Sequence, residues 1–286
     1  MRFAFLDVER ANHSLDILCR MMEVSRSGYY RWRKAQQQPC ERILRDRCLL
    51  SDVQRIYDDN AGRYGAPRVF EVLRKAGVKV SRKRVARLMR AQGLRGVKKR
   101  RYRSCTNSKH DEPIADNLLG RDFNKKRFGE AWVGDVTYIR TDEDWLFLAV
   151  VIDVATRRVV GYAMSNRISA DLAAQAFQRA VDEFGAPEMF HSDRGVEYAA
   201  RSFRELLRRY DVVQSMSRKG NCWDNALAES FFASLKNELV HQRHFSTRSE
   251  ARTAVFEYVV GHFSRVRLHS SVGFMTPVEF HAQQRV

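Results

Sequence analysis

The chain has 286 residues, of which 44% are hydrophobic, and it carries a formal net charge of +17. This length is enough for two or three domains, and the apolar fraction excludes wholesale disorder. There is no charged-then-apolar leader and no run of about 18 apolar residues, which predicts a soluble protein that is not exported. The five cysteines are scattered and form no C-x-x-C pair, so we expect a reducing compartment and neither a disulfide framework nor a cysteine zinc site.

The positive charge is concentrated in the first part of the chain. Residues 1–110 hold 28 lysines and arginines against 10 acidic residues, whereas residues 111–286 hold 23 against 24. No acidic residue occurs between Glu71 and Asp111. A strongly basic region joined to a region with nearly equal numbers of basic and acidic residues is typical of a nucleic-acid-binding domain attached to a domain with a different function. A basic surface that serves only solubility is the alternative.

Two helical units are predicted in this basic part. Helical spacing of apolar residues and Ser25 as a helix cap predict a short helix-turn-helix-like unit in residues 1–38. Residues 40–100 form a second, basic helix-turn-helix unit, whose last helix is capped by Ser81. This last helix has the charge of a DNA-recognition helix, with a solvated surface helix as the alternative. Its candidate DNA-binding residues, all expected to point outward, are Arg82, Lys83, Arg84, Arg87 and Arg90.

Residues 101–127 are predicted to form a basic linker. The surrounding stretch, residues 95–117, is polar, basic and aperiodic. We expect it to follow DNA phosphates with an affinity that falls steeply with salt. Four further DNA-binding candidates lie here: Lys98, Lys99, Arg100 and Arg101.

The remaining domain, residues 128–286, has a sequence pattern that mixes strand-like and helical segments. Strand-like segments at 131–140, 145–157 and 158–165 are followed by a helix, a strand, a helix, a strand and further helices. This order predicts an α/β domain with helices packed around a mixed sheet. We expect the aromatic residues of this domain to lie in its core, without a base-stacking surface.

Three acidic residues of this domain have unusual surroundings. Asp135 lies inside the first predicted strand on the same face as Val133, Thr137 and Ile139. A structural hydrogen-bonding role is as good an interpretation there as a functional one. Asp193 ends a strand, at an edge where α/β sheets tend to bind ligands. Glu229 lies among apolar residues of a helix, where an uncompensated carboxylate is destabilising. Between Asp193 and Glu229 there are 35 residues.

The motifs around these acids resemble those of the retroviral-integrase-like transposases. WVGDVTY, HSDRGVEY and WDNALAESFFASLK, in this order and spacing, are similar to the acidic triad of the insertion-sequence-three family, specifically its second-reading-frame protein. RYGAPRV, VSRSGYYRW and RLHSSVGFMTP are similar to other motifs of that family, so the resemblance covers nearly the whole chain. One departure precedes RLHSS, where Phe263-Ser264 replace the family's usual Tyr-Asn pair.

The resemblance implies an α/β ribonuclease-H-like domain with a mixed five-stranded sheet, preceded by small all-α helix-turn-helix units. It implies that Asp135, Asp193 and Glu229 are catalytic and bind two Mg²⁺ ions, for which Mn²⁺ can substitute. The implied activity is that of a DNA transposase, which cleaves the 3′ ends of an insertion sequence and joins them by strand transfer.

Further residues receive supporting roles, Lys236 and Arg267 from the same resemblance, and Asn225 and Gly195 from their positions in the sequence. Lys236 is assigned to a substrate phosphate, with a plain surface lysine as the alternative. Asn225 is expected to orient Glu229 or to contact DNA, and Gly195 is expected to permit the turn after Asp193. Arg267 is expected to support the C-terminal tail, which contains RLHSSVGFMTP. From the residues alone, His191 is interpreted as a packed strand-end histidine, and Asp224 as a helix-start residue instead of a fourth ligand.

The implied partners are double-stranded DNA, both terminal repeats and target, and further protein chains. Joining two ends implies at least a dimer on DNA, and an upstream-frame helix-turn-helix protein is expected as a fusion or partner. No membrane is implied; the expected location is the bacterial cytoplasm, at the nucleoid. Two other hypotheses remain, a catalytically inactive DNA-binding regulator and a ribonuclease-H-type nuclease. The intact acids and Lys236 argue against the first, and the basic helical units argue against the second.

Overall fold

The computed structural model of the protein describes residues 2–38, 40–97, 112–219 and 221–284. The chain divides into two compact units, Met1–Gly96 and Val97–Val286. In the ranges just given, no helix is long and apolar enough to cross a membrane. The predicted basic linker falls partly outside these ranges, as do the DNA-binding candidates Lys98, Lys99, Arg100 and Arg101.

The first unit begins with three short helices that pack on one another. These are α1 (Arg2–Glu9), α2 (Leu15–Met21) and α3 (Arg26–Gln37). Leu6, Leu18 and Tyr29 form their small buried core. The Ser25 hydroxyl accepts a hydrogen bond from the Gly28 N–H at 3.0 Å, so the predicted cap of α3 is confirmed. Helix α1 was not predicted.

Three further helices complete this unit: α4 (Glu41–Asp59), α5 (Ala66–Lys75) and α6 (Arg82–Ala91). Helix α6 buries Val85, Leu88 and Met89 at the spacing of one helical face. The Ser81 hydroxyl accepts from the Arg84 N–H at 3.3 Å, as predicted for the cap. The opposite face of α6 is left to the basic residues.

The second unit is built on a five-stranded sheet. Its strands are β1 (Trp132–Thr141), β2 (Asp144–Asp153), β3 (Val159–Ser165), β4 (Met189–Ser192) and β5 (Val213–Met216). Their spatial order is β3-β2-β1-β4-β5. The first three strands form an antiparallel meander, while β4 runs parallel to β1 and β5 runs parallel to β4. The predicted α/β ribonuclease-H-like class with a mixed five-stranded sheet is confirmed.

Helices cover both faces of this sheet. They are α7 (Ala170–Phe184), α8 (Val196–Ala199), α9 (Arg201–Arg209), α10 (Ala226–Glu238) and α11 (Arg248–Phe256), and the helix α12 (Pro277–Gln283) follows them in the chain. A π-helix, Glu257–Phe263, continues α11. One core lies between the sheet and the helices α7 and α9, and the other lies between the sheet and the helices α10 and α11.

The alternation of β1 decides which helix its side chains face. Successive side chains of a strand point to opposite faces, so Trp132 packs in the α7 core while Val133 and Ile139 pack in the α10 core. Asp135 shares the parity of Val133 and Ile139. Its carboxylate is therefore on the face that α10 covers, which is the helix that carries Glu229.

A candidate active site of three carboxylates

Asp135 lies near the middle of β1, the central strand of the sheet. Its Oδ1 accepts a hydrogen bond from the Val136 N–H at 2.8 Å, which fixes the carboxylate against its own strand. Burial raises the pKa of Asp135 well above its ordinary value, and the charges of Asp193, Glu197 and Glu229 raise it further. The ionised form of this carboxylate is therefore unfavourable without a compensating cation.

Asp193 is placed beside Asp135 by the parallel pairing of β4 with β1. Gly134 is opposite Ser192 in the register of these strands, and the residue that follows each of them in the chain is one of the two aspartates. The Gly195 N–H donates to Oδ1 of Asp193 at 2.9 Å. The carboxylate is thus held at the carboxyl end of a parallel strand, where the sequence predicted a ligand site.

Glu229 lies in the first turn of α10 and is half-buried. Burial raises its pKa above the ordinary value, and the charge of Asp193 adds to this shift. Within the part of the chain that the structure describes, no group of three His, Cys, Asp or Glu side chains already has the spacing of a metal site. The charges of Asp193 and Glu229 nevertheless raise the pKa of Asp135, and the charge of Asp193 raises the pKa of Glu229. The oxygen donors of the three carboxylates suit a hard divalent ion such as Mg²⁺.

A fourth carboxylate, that of Glu197, was not singled out in the sequence. Glu197 is only 8% exposed, and its charge contributes to the raised pKa of Asp135. It follows Asp193 by four residues in the HSDRGVEY motif, in the short helix α8. An acid in the first turn of a helix is a common surface feature, so the sequence contained no signal of its burial.

The structure gives Gly195 a role other than the predicted one, which is to leave space for the Glu197 side chain. Its φ of −62° is accessible to any residue, so the turn after Asp193 does not depend on glycine. A Cβ at this position would lie 2.6 Å from Oε1 of Glu197, closer than a carbon and an oxygen can approach. The absence of a side chain therefore lets the Glu197 carboxylate pack against the Asp193 turn.

Substitution of Gly195 by alanine is expected to lower DNA cleavage roughly 10- to 100-fold, because the added methyl group displaces Glu197 or the Asp193 turn, and small misplacements at a site have effects of this size. Thermal unfolding should change little by comparison. Gly261→Ala is the matched control, since a Cβ added to Gly261 would meet no atom within 4 Å. Equal cleavage by both variants would show that the Gly195 contact is unimportant.

Asn225 and Asp224 connect the start of α10 to the rest of the site. The Asn225 side chain is 3% exposed, and its Nδ2 donates to the Gly134 carbonyl at 3.3 Å, directly before Asp135. Asp224 is fully buried and accepts hydrogen bonds from Arg121 at 2.7 Å and from Arg218 at 2.9 Å. These arginines hold the pKa of Asp224 far below its ordinary value, Arg218 having the larger effect. A role of Asn225 in orienting Glu229 stays a prediction.

Lys236, His191 and Arg267 are all buried. Lys236 is 5% exposed with its Nζ 4.8 Å from the centroid of the Tyr138 ring, so it is not a plain surface lysine. His191 lies between the hydroxyls of Ser215 and Ser217, and burial lowers its pKa to about 4, in agreement with a packed histidine. Arg267 forms an ion pair with Glu238 on α10.

The basic face of α6 differs from the prediction at one position. Arg82, Lys83, Arg87 and Arg90 are exposed, but Arg84 is half-buried. Asp46 of α4 accepts hydrogen bonds from Arg84 at 2.7 Å and from Arg87 at 2.6 Å. The expectation that all five cations point outward is therefore wrong for Arg84. The Asp46 carboxylate also offsets part of the positive charge of α6.

Comparison with known proteins gives matches over both units. The family model described as "Integrase core domain" matches residues 125–222, a second model of that description matches residues 229–284, and "HTH-like domain" matches residues 44–102. Solved structures with a similar core include the HTLV-2 integrase catalytic core domain in complex with magnesium. It is 18% identical, with a TM-score of 0.42, and covers 54% of this chain and 96% of that chain.

The matched family models define an integrase-core polynucleotidyl transferase with a helix-turn-helix-like domain. The transposase InsF for insertion sequence IS3A of Escherichia coli (strain K12) is 39% identical over 282 residues, 98% of each chain. The insertion element IS600 uncharacterized 31 kDa protein of Shigella sonnei is 38% identical over 92% of this chain and 97% of that protein. The chain belongs to the insertion-sequence-three (IS3) family of transposases, as the motifs predicted.

Proposed function

We propose that this transposase cleaves the 3′ ends of its insertion element and transfers them to a second DNA phosphodiester, with Asp135, Asp193 and Glu229 as ligands of divalent metal ions. The observation that carries this proposal is the electrostatic coupling of the three acids. Burial and mutual repulsion raise the pKa of Asp135 and of Glu229. A cation relieves this repulsion, and the all-oxygen donor set favours Mg²⁺, with Mn²⁺ as a substitute.

The fold supports these roles by fixing each carboxylate on a different element. Backbone N–H groups of Val136 and Gly195 orient Asp135 and Asp193 on neighbouring strands. Glu229 comes from α10, whose start is attached to β1 through Asn225. When two metal ions are bound, they supply activation of the attacking oxygen and stabilisation of the leaving oxygen in an in-line displacement. The attacking oxygen comes from water in cleavage and from the freed 3′-hydroxyl in strand transfer.

The basic helical unit supports the choice of DNA as substrate. We assign recognition of the terminal repeats to α6, whose Arg82, Lys83 and Arg90 are exposed, and phosphate contacts to Lys236. Joining two ends calls for at least a dimer on DNA. An upstream-frame helix-turn-helix protein is the proposed fusion or partner, and the place of action is the bacterial nucleoid in the cytoplasm, where the substrate is.

The test is cleavage and joining of a labelled duplex that carries the element's ends, with Mg²⁺, by the full chain and by Glu229→Gln. Glutamine keeps the shape of the side chain and removes its charge. We expect product formation to fall by roughly 10³-fold or more, as when a group essential to a catalytic unit is removed. Glu205→Gln is the matched control, because Glu205 is an exposed acid paired with Arg201.

Three results would contradict the proposal. The first is undiminished cleavage by Glu229→Gln, which would exclude the acidic site. The second is DNA binding without cleavage by the full chain, both alone and when fused to the upstream-frame protein, which would identify an inactive regulator. Cleavage of RNA–DNA hybrids but not of the element's ends would identify a ribonuclease-H-type nuclease.

A further inference from the structure

Trp223 is an exception to the expectation that the aromatic residues of the catalytic unit lie in its core. Its side chain is 68% exposed, whereas Trp132 of the same unit is fully buried. Tryptophan is the largest apolar side chain and is highly buried on average. An indole left in solvent six residues before Glu229 is therefore a candidate binding surface.

The next residue, Asp224, fixes the backbone at Trp223 through hydrogen bonds of its carboxylate. Asp224, fully buried, accepts from the side chains of Asn117 at 2.8 Å, Arg121 at 2.7 Å and Arg218 at 2.9 Å. These bonds connect the segment before β1, the segment after β5 and the turn that opens α10. The exposed indole of Trp223 therefore lies on a turn whose backbone is fixed by the buried Asp224 carboxylate.

The arginines that bind Asp224 also face solvent. The side chains of Arg121 and Arg218 are 43% and 56% exposed. A third arginine, Arg194, directly follows Asp193, and its Nε donates to the carbonyl of Ser217, the residue before Arg218, at 2.7 Å. Asp224 is a single negative charge shared by two guanidinium groups, so Arg121 and Arg218 keep positive charge for an anionic partner.

This combination fits a nucleic-acid strand better than it fits a second copy of the chain. Guanidinium groups bind phosphate oxygens with matched geometry, and an indole face stacks on a nucleobase. Two copies meeting here would bring like charges together. Stacking on an aromatic side chain requires a base whose face is free, so the base must leave the duplex stack.

We propose that Trp223, Arg121 and Arg218 form a DNA-end clamp beside the acidic site, in which the indole stacks on a base displaced from the duplex end and the two arginines bind flanking phosphates. The inference rests on the proposed function, since it places the DNA end next to Asp193 and Glu229. It adds to that function a specific requirement, the opening of the terminal base pair.

The experiment measures binding without chemistry. The full chain, in EDTA, is titrated into a fluorescently labelled duplex of the element's end whose terminal base pair is either matched or mismatched, and anisotropy gives the two affinities. A mismatched end has already lost the pairing that must be broken. We expect the chain to bind the mismatched end about tenfold more tightly, and Trp223→Ala to lose this preference, a change within the range of base–aromatic stacking.

Matched variants separate stacking from other effects. Phe256→Ala removes another exposed aromatic side chain of the unit, 50% exposed on α11, and should keep the full preference. Trp223→Phe should keep most of it. Arg218→Lys and Arg121→Lys keep a cation beside the buried Asp224 carboxylate but lose the guanidinium geometry, so they should weaken binding to both ends alike and leave the preference for the mismatched end.

The clamp is excluded if the unaltered chain binds matched and mismatched ends equally, or if Trp223→Ala retains the preference. A change in oligomeric state of Trp223→Ala with an unchanged preference would assign the indole to a contact between copies and would also overturn it. Should Trp223→Ala fail to fold, Trp223→Phe compared with Trp223→Leu gives the same test. Cleavage by the unaltered chain is scored separately, so failure of the clamp leaves the proposed function standing.

Discussion

Asp135→Asn is expected to lower DNA cleavage by at least about 10³-fold while affinity for the element's end stays within about twofold. Asparagine keeps the side-chain shape and an oxygen that can accept from the Val136 N–H, so the strand should be undisturbed. What is lost is the negative charge at the centre of the acidic site. Binding should persist because the basic helices that we assign to the element's end belong to the separate unit Met1–Gly96.

The same variant should also be more stable than the unaltered chain when metal is removed. Because the pKa of Asp135 is raised on folding, its ionised form opposes folding. The folded protein then binds more protons than the unfolded chain, so stability falls as pH rises above the ordinary aspartate pKa. In EDTA at neutral pH, the Tm of Asp135→Asn should exceed that of the unaltered chain, and added Mg²⁺ should raise only the Tm of the latter.

Three measurements check these predictions. Cleavage is followed on a gel, DNA binding by anisotropy, and stability by thermal unfolding with and without Mg²⁺. Asp182→Asn is the control, since Asp182 is an acid outside the acidic site that bonds Gln178 on its own helix. Retention of cleavage by Asp135→Asn, or a similar loss in Asp182→Asn, would remove Asp135 from the catalytic group. A large loss of DNA binding would point instead to a damaged fold.

Local periodicity was sufficient to predict most helices and all five strands. The alternation of β1 is set by the period of two in a strand, so the face of Asp135 could be predicted from the sequence. Ser25 and Ser81 were predicted as caps because their hydroxyls bond a backbone N–H three residues ahead, which is a local contact. The α/β class followed from the order of these elements.

Contacts between distant parts of the chain could not be predicted in this way. Arg121 and Asp224 are 103 positions apart, and only the packed fold brings them together. The same holds for Asp46 and Arg84, which are 38 positions apart. No periodicity distinguishes an exposed Trp223 from a buried one, because the turn that carries it has no repeating face.

A buried ion pair joins Arg267, in the C-terminal tail after α11, to Glu238 on α10. We predict that breaking this pair has a large effect on stability. Arg267 and Glu238 have side chains only 8% and 7% exposed and lie 3.0 Å apart. Arg267 also donates to the Ser234 hydroxyl at 2.9 Å, and the Tyr258 hydroxyl donates to Glu238 at 2.9 Å. The network fixes the chain after α11 onto α10. Phe263, which departs from the family's usual residue, is itself buried in the core.

Arg267→Met is expected to destabilise the protein by about 3–5 kcal/mol, because it leaves the Glu238 carboxylate buried without its cation. For a folding unit of this size, 1 kcal/mol corresponds to roughly 2–4 °C, so the Tm should fall by about 6–20 °C. The double variant Arg267→Met/Glu238→Gln should lose less than the sum of the single variants, since neither charge is then left unpaired.

The exposed pair Arg201–Glu205 provides the matched control for this prediction. Its side chains are 83% and 48% exposed, and its atoms lie at hydrogen-bonding distance, as in the buried pair. Since solvent already screens both charges, Arg201→Met should change the free energy of unfolding by less than about 1 kcal/mol. Similar effects of Arg201→Met and Arg267→Met would contradict the prediction, because burial is the property that separates the two pairs. The predicted difference therefore measures how strongly the tail is bound to the helix that carries Glu229.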